Sequence, residues 1–450
     1  MGDRLRLTVL GAGHLGITHA ACMAAAGFEV LCVDVDADRV AGLSAGRAPI
    51  FEPGLEELLR AGIDSGRLGF TTSYAEVAEF GDVHFVCVGT PQVRDGHGAD
   101  LSQVEACVDA LAPGLTRPCL VVGKSTVPAG TAAAVAERVA RFAPAGEAAE
   151  VCWNPEFLRE GHGVADTLRP DRIVAGVGSA RAEELLREVY AAQIEAGAEF
   201  FVTDLATAEL AKVAANAFLA TKISFINAVA EVCDAAGADV TVLAAILGAD
   251  PRIGRAFLRP GLGFGGGCLP KDVRAFQARA AELGAGDALA ILREVDAINL
   301  GRRTAMVNLA CEVAGGSVAG KRLCVLGAAF KPGSDDVRDS PALDVAQILH
   351  GLGAEVTVHD PQAIDNARRA CPELSYATTI AAAAADADLV LLLTDWPEYA
   401  AISPREFAGL TAARHIIDGR YQLNPATWRA AGWHYRACGI PDPAPSTQLT

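Results

Sequence analysis

The sequence predicts an α/β protein in which two doubly wound parallel-sheet domains are joined by a central helical region. Three observations carry this. Short β-branched runs alternate with alanine-rich stretches in the first third, the strand pattern stops in the middle, and the alternation returns in the last third.

In the first third, "RLTVLGAG", "EVLCVDVD", "DVHFVCVGTP", "CLVVGKSTV", "EVCWNPEF" and "DRIVAGVG" read as buried parallel strands, each followed by a helical segment. From Leu205 the run "LATAELAKVAANAFLATKISFINAVAEVCDAAG" reads as one long helix, with Gly237 as its C-cap. A glycine loop follows, then helical character to about residue 314. "KRLCVLGAAF", "AEVTVHDP", "ADLVLLLTDW" and "HIIDGRYQL" then restart the strand rhythm. The expected boundaries are 1–204, 205–314 and 315–440. The tail 441–450, "PDPAPSTQLT", has the composition of a disordered segment.

Composition narrows the function. Of 450 residues, 51% are hydrophobic and 21% charged, which describes a globular chain too long for one ordinary core. No apolar run reaches the ~20 residues of a membrane helix. "MGDRLRLTVLGAG" enters a strand at once, leaving no room for a signal peptide, so the expected location is cytoplasmic. A net charge of −17 argues against nucleic-acid or anionic-membrane partners, and it makes any local cluster of Arg and Lys informative. Twelve Cys and nine His lack zinc-like spacing, so no metal is expected. Eleven of the cysteines read as reduced core filler. The twelfth, Cys268, lies in "LRPGLGFGGGCLPKD", where little else has a side chain.

"GAGHLG" supplies Gly11, Gly13 and Gly16 in the G-x-G-x-x-G spacing, after a strand and before a helix. This is a Rossmann-like turn: Gly11 turns the chain, Gly13 admits a pyrophosphate and Gly16 lets helix meet strand. Asp34 ends the second strand, 23 residues after Gly11, where a carboxylate accepts from ribose hydroxyls and favours NAD. Arg39 nearby is the kind of residue that serves NADP.

Lys212 and Asn216 are four apart and share a helix face, either a surface pair or an oxyanion-stabilising lysine with an amide. Arg252, Arg255, Arg259 and Lys271 crowd the glycine loop, and Lys331, Arg338 and Arg420 lie in later loops, a pattern that suits a diphosphate or a solvated basic face. A dehydrogenase uses a thiol where an aldehyde must become an acid, because thiolate addition makes the tetrahedral hydride donor and hydride loss leaves a thioester for water. On the residues alone, a two-electron hydroxyacid-type dehydrogenase and a non-enzymatic nucleotide sensor remain alternatives.

Together "GAGHLG", "VDVDADRVAGLSAGRAPIFEPGLEELL", "FVCVGTP", "GKSTVPAGT", "NPEFLREG", "ELAKVAANAFLATKISFINAVAEVC", "GFGGGCLPKD", "AFKPGSDDVRDSP" and "IDGR" resemble the UDP-sugar dehydrogenases of the UDP-glucose/GDP-mannose family, as far as about Arg420. The resemblance implies that UDP-glucose, two NAD+ and water give UDP-glucuronate and two NADH. GDP-mannose and UDP-N-acetylhexosamines are alternative substrates.

By motif, the resemblance implies Cys268 as nucleophile, Asp272 acting with Thr126 on a water or a proton, Lys212 at oxyanions, Asn216 on the sugar and Glu156 in hydrolysis. It implies NAD contacts at Gly11, Ala12, Gly13, His14, Leu15, Gly16, Asp34, Arg39, Thr90, Thr126, Lys271 and Arg338, with Glu160 between sugar and nicotinamide. His14 departs from the Tyr common there. Nucleotide-sugar contacts are implied at Glu156, Phe157, Leu158, Arg159, Glu160, Lys212, Asn216, Arg252, Arg259, Gly261, Gly263, Phe264, Gly265, Phe330, Lys331 and Arg420. The family places Arg252 across an interface of central helices, which implies a homodimer or a higher even oligomer.

Overall fold

The computed structural model describes residues 4–441, so nearly all of the expected tail lies outside the described residues. Its contacts divide the chain into two units. One runs to Ala215 and includes Ala275–Gly286; the other holds Asn216–Arg274 and continues from Asp287.

Among the described residues, eight strands form the sheet of the first unit: β1 (Arg6–Leu10), β2 (Glu29–Val33), β3 (Leu68–Thr71), β4 (Val83–Val86), β5 (Cys119–Gly123), β6 (Ala149–Trp153), β7 (Arg172–Gly176) and β8 (Glu199–Thr203). Their order is β3-β2-β1-β4-β5-β6-β7-β8. Successive side chains of a strand face opposite ways, and helices cover both faces. Leu7 and Val9 therefore join Ile17, Cys22 and Phe85 in one core, while Leu10 joins Val86, Val121 and Trp153 in another. Burial on both sides is why these strands read as unbroken apolar runs.

The second unit repeats the scheme with β9 (Arg322–Leu326), β10 (Glu355–His359), β11 (Ser375–Tyr376), β12 (Leu389–Leu392), β13 (His415–Asp418) and β14 (His434–Arg436). Their order is β11-β10-β9-β12-β13-β14, all parallel. The expected fold class holds, with one correction. β7 meets β6 antiparallel, through the pair Trp153 and Gly176. An apolar run carries no direction, and the connection contains only the six-residue helix Gly163–Leu168, where a parallel crossover generally takes a longer helix.

The central helix spans Leu205–Ala236, and Gly237 has φ +67°, the left-handed C-cap that was expected. By length and composition this helix is long and apolar enough to cross a membrane, although no uninterrupted apolar run is. Three of its polar side chains bind packed protein. Glu209 accepts the N–H of Gly130 and of Ala132, Ser224 donates to the Val295 carbonyl, and Asn227 accepts the Gly261 N–H.

Two histidines in the first unit are fully buried. Burial first, and Arg117 second, pull His84 down to about 3; burial and then Lys124 hold His19 well below the ordinary value. An unfolded histidine titrates near 6.5, so both folded values are depressed. Their contribution is intact above pH ~6.5 and is lost as pH falls, by up to about 1.4 kcal/mol per pH unit for each ring. We expect Tm to decline between pH 6.5 and 5, and the slope to be shallower in His84→Asn. An unchanged slope in that variant would contradict this assignment.

Candidate active site

The first unit presents a turn made for a dinucleotide. Gly11 has φ +94°, and a Cβ on Gly16 would lie 1.8 Å from the Gly11 carbonyl oxygen. At Gly13 a Cβ would meet nothing within 4 Å, so that face of the turn is open. The helix His14–Ala25 that follows has no side-chain cap and no acidic residue in its first turn, which leaves its terminal amides for an anion. Asp34 Oδ2 accepts the Ala12 N–H (2.8 Å) and pairs with Arg39 (3.0 Å). Arg39 is thus neutralised by the acid that favours NAD over a 2′-phosphate. Thr90 Oγ1 donates to the Thr126 carbonyl (2.7 Å), joining two predicted residues.

Glu52, which the sequence reading did not single out, ties this turn to the "NPEFLREG" loop. Its Oε2 accepts the Gly161 N–H and contacts His14 Nε2, and its Oε1 accepts the Gly163 N–H, each at 2.8 Å. Glu160 precedes Gly161 directly, so Glu52 anchors the segment that carries it. In Glu52→Gln one of these acceptors becomes a donor facing an N–H. A hydrogen bond to a buried charge is worth about 1.5–3 kcal/mol, so we expect Tm to fall and KM for NAD to rise several-fold. Wild-type values of both would contradict the tie.

Within the loop, Glu156 Oε1 accepts the N–H groups of Phe157 (2.8 Å) and Leu158 (3.0 Å), and Oε2 pairs with Lys124 Nζ at 2.9 Å. Burial pushes Glu156 up, but Lys124, the Phe157 amide and Lys212 outweigh it and hold the carboxyl below its ordinary value. Lys212 Nζ lies 5.3 Å from the Phe157 ring centre. Arg159 is drawn aside into a bidentate pair with Asp166.

In the second unit, Cys268 immediately precedes the helix Leu269–Glu282, and its carbonyl accepts the Asp272 N–H (3.0 Å). An anionic sulfur there lies at the positive end of the helix. Cys268 is exposed; of the other eleven cysteines, nine are buried and two half-buried. The buried Asp272 carboxylate accepts from Asn216 Nδ2 (2.7 Å) and Lys271 Nζ (2.6 Å). The structure thereby gathers Cys268, Asp272, Lys271 and Asn216, residues up to 56 apart in sequence.

The glycines around Cys268 have a packing reason as well. A Cβ on Gly265 would lie 2.1 Å from the Asp339 carbonyl oxygen, on Gly266 2.8 Å from the Phe330 ring, and on Gly267 2.4 Å from the Arg338 guanidinium carbon. Much of the room at these three positions is therefore filled by the chain itself. Asn299 brackets Phe264 through its N–H and carbonyl, and Gly261 donates to Asn227. Arg420 reaches the Gly263 carbonyl (3.0 Å) and also donates to the Leu393 and Phe330 carbonyls. Arg259 pairs with Asp395, and Lys331 Nζ lies 5.5 Å from the Phe330 ring centre. Arg252 stands apart, highly exposed and paired with Asp250.

A dinucleotide turn in one unit, and an exposed thiol on a glycine loop set among basic residues in the other, define a dehydrogenase that works on an anionic substrate. Comparison makes this specific. The NAD binding domain of the UDP-glucose/GDP-mannose dehydrogenase family matches residues 5–194, its central domain 206–300 and its UDP binding domain 324–425. The UDP-glucose 6-dehydrogenase of Rhizobium meliloti is 40% identical over 441 residues, covering 97% of this chain and 100% of that protein. The structure of a UDP-glucose dehydrogenase from the archaeon Pyrobaculum islandicum is 40% identical, with a TM-score of 0.89, covering 97% of this chain and 98% of that one. A UDP-D-ManNAc dehydrogenase structure from Pyrococcus horikoshii is 27% identical, with a TM-score of 0.84, covering 98% and 100%. The chain belongs to the UDP-glucose/GDP-mannose dehydrogenase family, and its first domain is that family's NAD binding domain.

Proposed function

We propose that this enzyme oxidises UDP-glucose to UDP-glucuronate in two NAD-dependent steps, with Cys268 carrying the sugar between them. The observation that carries the reading is one exposed thiol at a helix N-terminus beside Asp272 and Asn216, in a chain whose other cysteines are withdrawn into cores. The open face at Gly13, the uncapped helix at His14 and the acid at Asp34 fit NAD. Two NAD+ held there in turn would each supply the acceptor for one hydride, the first from the alcohol carbon and the second from the thiohemiacetal.

The chain's own residues do the rest. Cys268 Sγ adds to the C6 aldehyde, Lys212 steadies the oxyanion, and Asn216 holds the sugar. Asp272 and Thr126 manage a water and the alcohol proton, and Glu156 receives a proton when water opens the thioester. Glu160 lies between sugar and nicotinamide. Arg259, Arg420, Lys331 and the Gly261–Gly265 stretch take the nucleotide sugar.

UDP-glucose is favoured over other sugars because identity is 40% to the UDP-glucose enzymes and 27% to the UDP-D-ManNAc enzyme. A panel of UDP-glucose, UDP-N-acetylhexosamines and GDP-mannose tests this. The reading predicts the highest kcat/KM with UDP-glucose, by more than tenfold, and fails if another sugar leads.

A homodimer in the cytoplasm completes the reading. Phe218, Phe225 and Val232 are 66%, 54% and 65% exposed and fall seven residues apart on one face of the central helix, with Val242 and Ile246 exposed on the helix Val240–Ala249. Such a stripe suits a second copy of the same helix.

A further inference from the structure

Lys124 directly follows the apolar strand β5 and is 3% exposed, yet the mechanism above gives it no task. A lysine has three donors, and all three are engaged. Nζ contacts Glu156 Oε2 at 2.9 Å, Asn154 Oδ1 at 3.0 Å and Tyr190 Oη at 3.2 Å. Tyr190 in turn donates to Asn154 Oδ1 (2.7 Å), and Asn154 Nδ2 donates to the Val174 carbonyl (2.8 Å), which closes the network. No donor is left on Lys124 for a ligand.

The other end of the network is different. An ionised carboxylate offers about four acceptor positions. Two on Glu156 Oε1 are filled by the Phe157 and Leu158 amides, and one on Oε2 by Lys124. A single position remains, on Oε2, and the side chain as a whole is 18% exposed. The charges support the same arrangement. Burial alone would lower Lys124, but Glu156 outweighs it, and both groups stay charged.

We propose that Lys124, braced by Asn154 and Tyr190, is a positioning residue that turns Glu156 so its one remaining acceptor position takes the hydrolytic water. The inference rests on the covalent reading of Cys268. In the step concerned, the water oxygen bonds the acyl carbon and the carbon–sulfur bond breaks, its electron pair leaving on Cys268 Sγ. One water proton passes to Glu156 Oε2, and the product acid loses the other to solvent.

The test uses the full-length enzyme and compares Lys124→Met, Glu156→Gln and the double variant by steady-state kinetics and by intact mass after rapid denaturation. Residues that orient a reacting group typically cost 10- to 100-fold when removed. We expect Lys124→Met to lower kcat by about that much, to leave KM for both substrates within about threefold, and to accumulate a UDP-sugar acyl adduct on Cys268. Glu156→Gln should accumulate the same adduct, and the double variant should be no slower than the slower single variant. Should Lys124→Met not fold, Tyr190→Phe keeps the lysine and removes one brace. It should show a smaller loss, about 3- to 10-fold, with the same adduct. Adduct in Glu156→Gln but none in the folded Lys124→Met, or in Tyr190→Phe if that variant must stand in, overturns the inference, as do losses that multiply in the double variant. If no variant forms an adduct and Cys268→Ala still makes acid, the covalent reading itself is wrong.

Discussion

Replacing Cys268 by alanine is expected to abolish formation of the carboxylate while leaving NAD binding unchanged. The side chain is exposed at the head of the helix Leu269–Glu282. The backbone contacts that order the loop run through the Cys268 carbonyl to the Asp272 N–H and through the Gly266 N–H to the Arg338 carbonyl, and alanine keeps both. The loop should therefore survive the substitution. The chemistry should not, because an aldehyde has no hydride to give until a nucleophile makes its carbon tetrahedral. Removing a catalytic nucleophile has cost about 10⁶ in turnover where it has been measured, so a loss of at least ~10³ in acid formation is a conservative expectation. Titrating NAD against the variant by fluorescence should give the wild-type Kd, since the dinucleotide turn belongs to the other unit. Acid formation above about 1% of the wild-type rate would sink the role of this thiol.

The second large effect separates two glycines of one motif. Gly16→Ala puts a methyl carbon 1.8 Å from the Gly11 carbonyl oxygen and 3.2 Å from Cys87 Cβ. The oxygen belongs to a backbone already fixed, because the Gly11 N–H donates to the Val33 carbonyl (2.8 Å) and Gly11 sits at φ +94°. The helix His14–Ala25 must back away from β1, and overpacking of this kind costs about 1–3 kcal/mol or more. We expect a Tm several degrees lower, or insoluble protein. Gly13→Ala meets nothing within 4 Å and has ordinary backbone angles, φ −73° and ψ −171°. Its Tm should stay within about 2 °C of wild type, because a surface change away from special features is worth about ±0.5 kcal/mol. Its methyl stands where a pyrophosphate must approach, so KM for NAD should rise at least tenfold. Equal losses of stability in the two variants would show that the motif is only structural.

These two cases also mark what a sequence can disclose. The central strands are legible because burial on both faces makes them continuous apolar runs, and Gly237 is legible because a left-handed cap admits little else. Edge strands lack that signal. β3 has one buried residue in four and β8 has none, and β11 and β14 are only two and three residues long. Direction is equally silent, so β7 read as parallel to β6.

At the site, loop composition singled out Cys268, helical spacing Asn216 and the family resemblance Asp272, yet nothing local announced the hydrogen bond between Asn216 and Asp272 across 56 residues. Glu52 and Lys124 went unremarked for the same reason. Each is an isolated charge in its own segment, and each acquires meaning only from partners 109 and 32 residues away, Gly161 and Glu156. Lys124 did leave a trace, a cation at the end of "CLVVG", where a buried charge must find an anion. The glycine loop was legible in composition but only half in cause. Segment 338–339 and Phe330 fill the space beside Gly265, Gly266 and Gly267, a packing cause that composition does not announce.

One active site of this enzyme is expected to remove four electrons from one sugar carbon. The direct measurement is NADH released per UDP-glucose consumed, by absorbance with NAD+ in excess, with the product weighed by mass spectrometry. Two NADH per sugar with UDP-glucuronate as product is the predicted result. One NADH per sugar, with an aldehyde or ketone released, would contradict it.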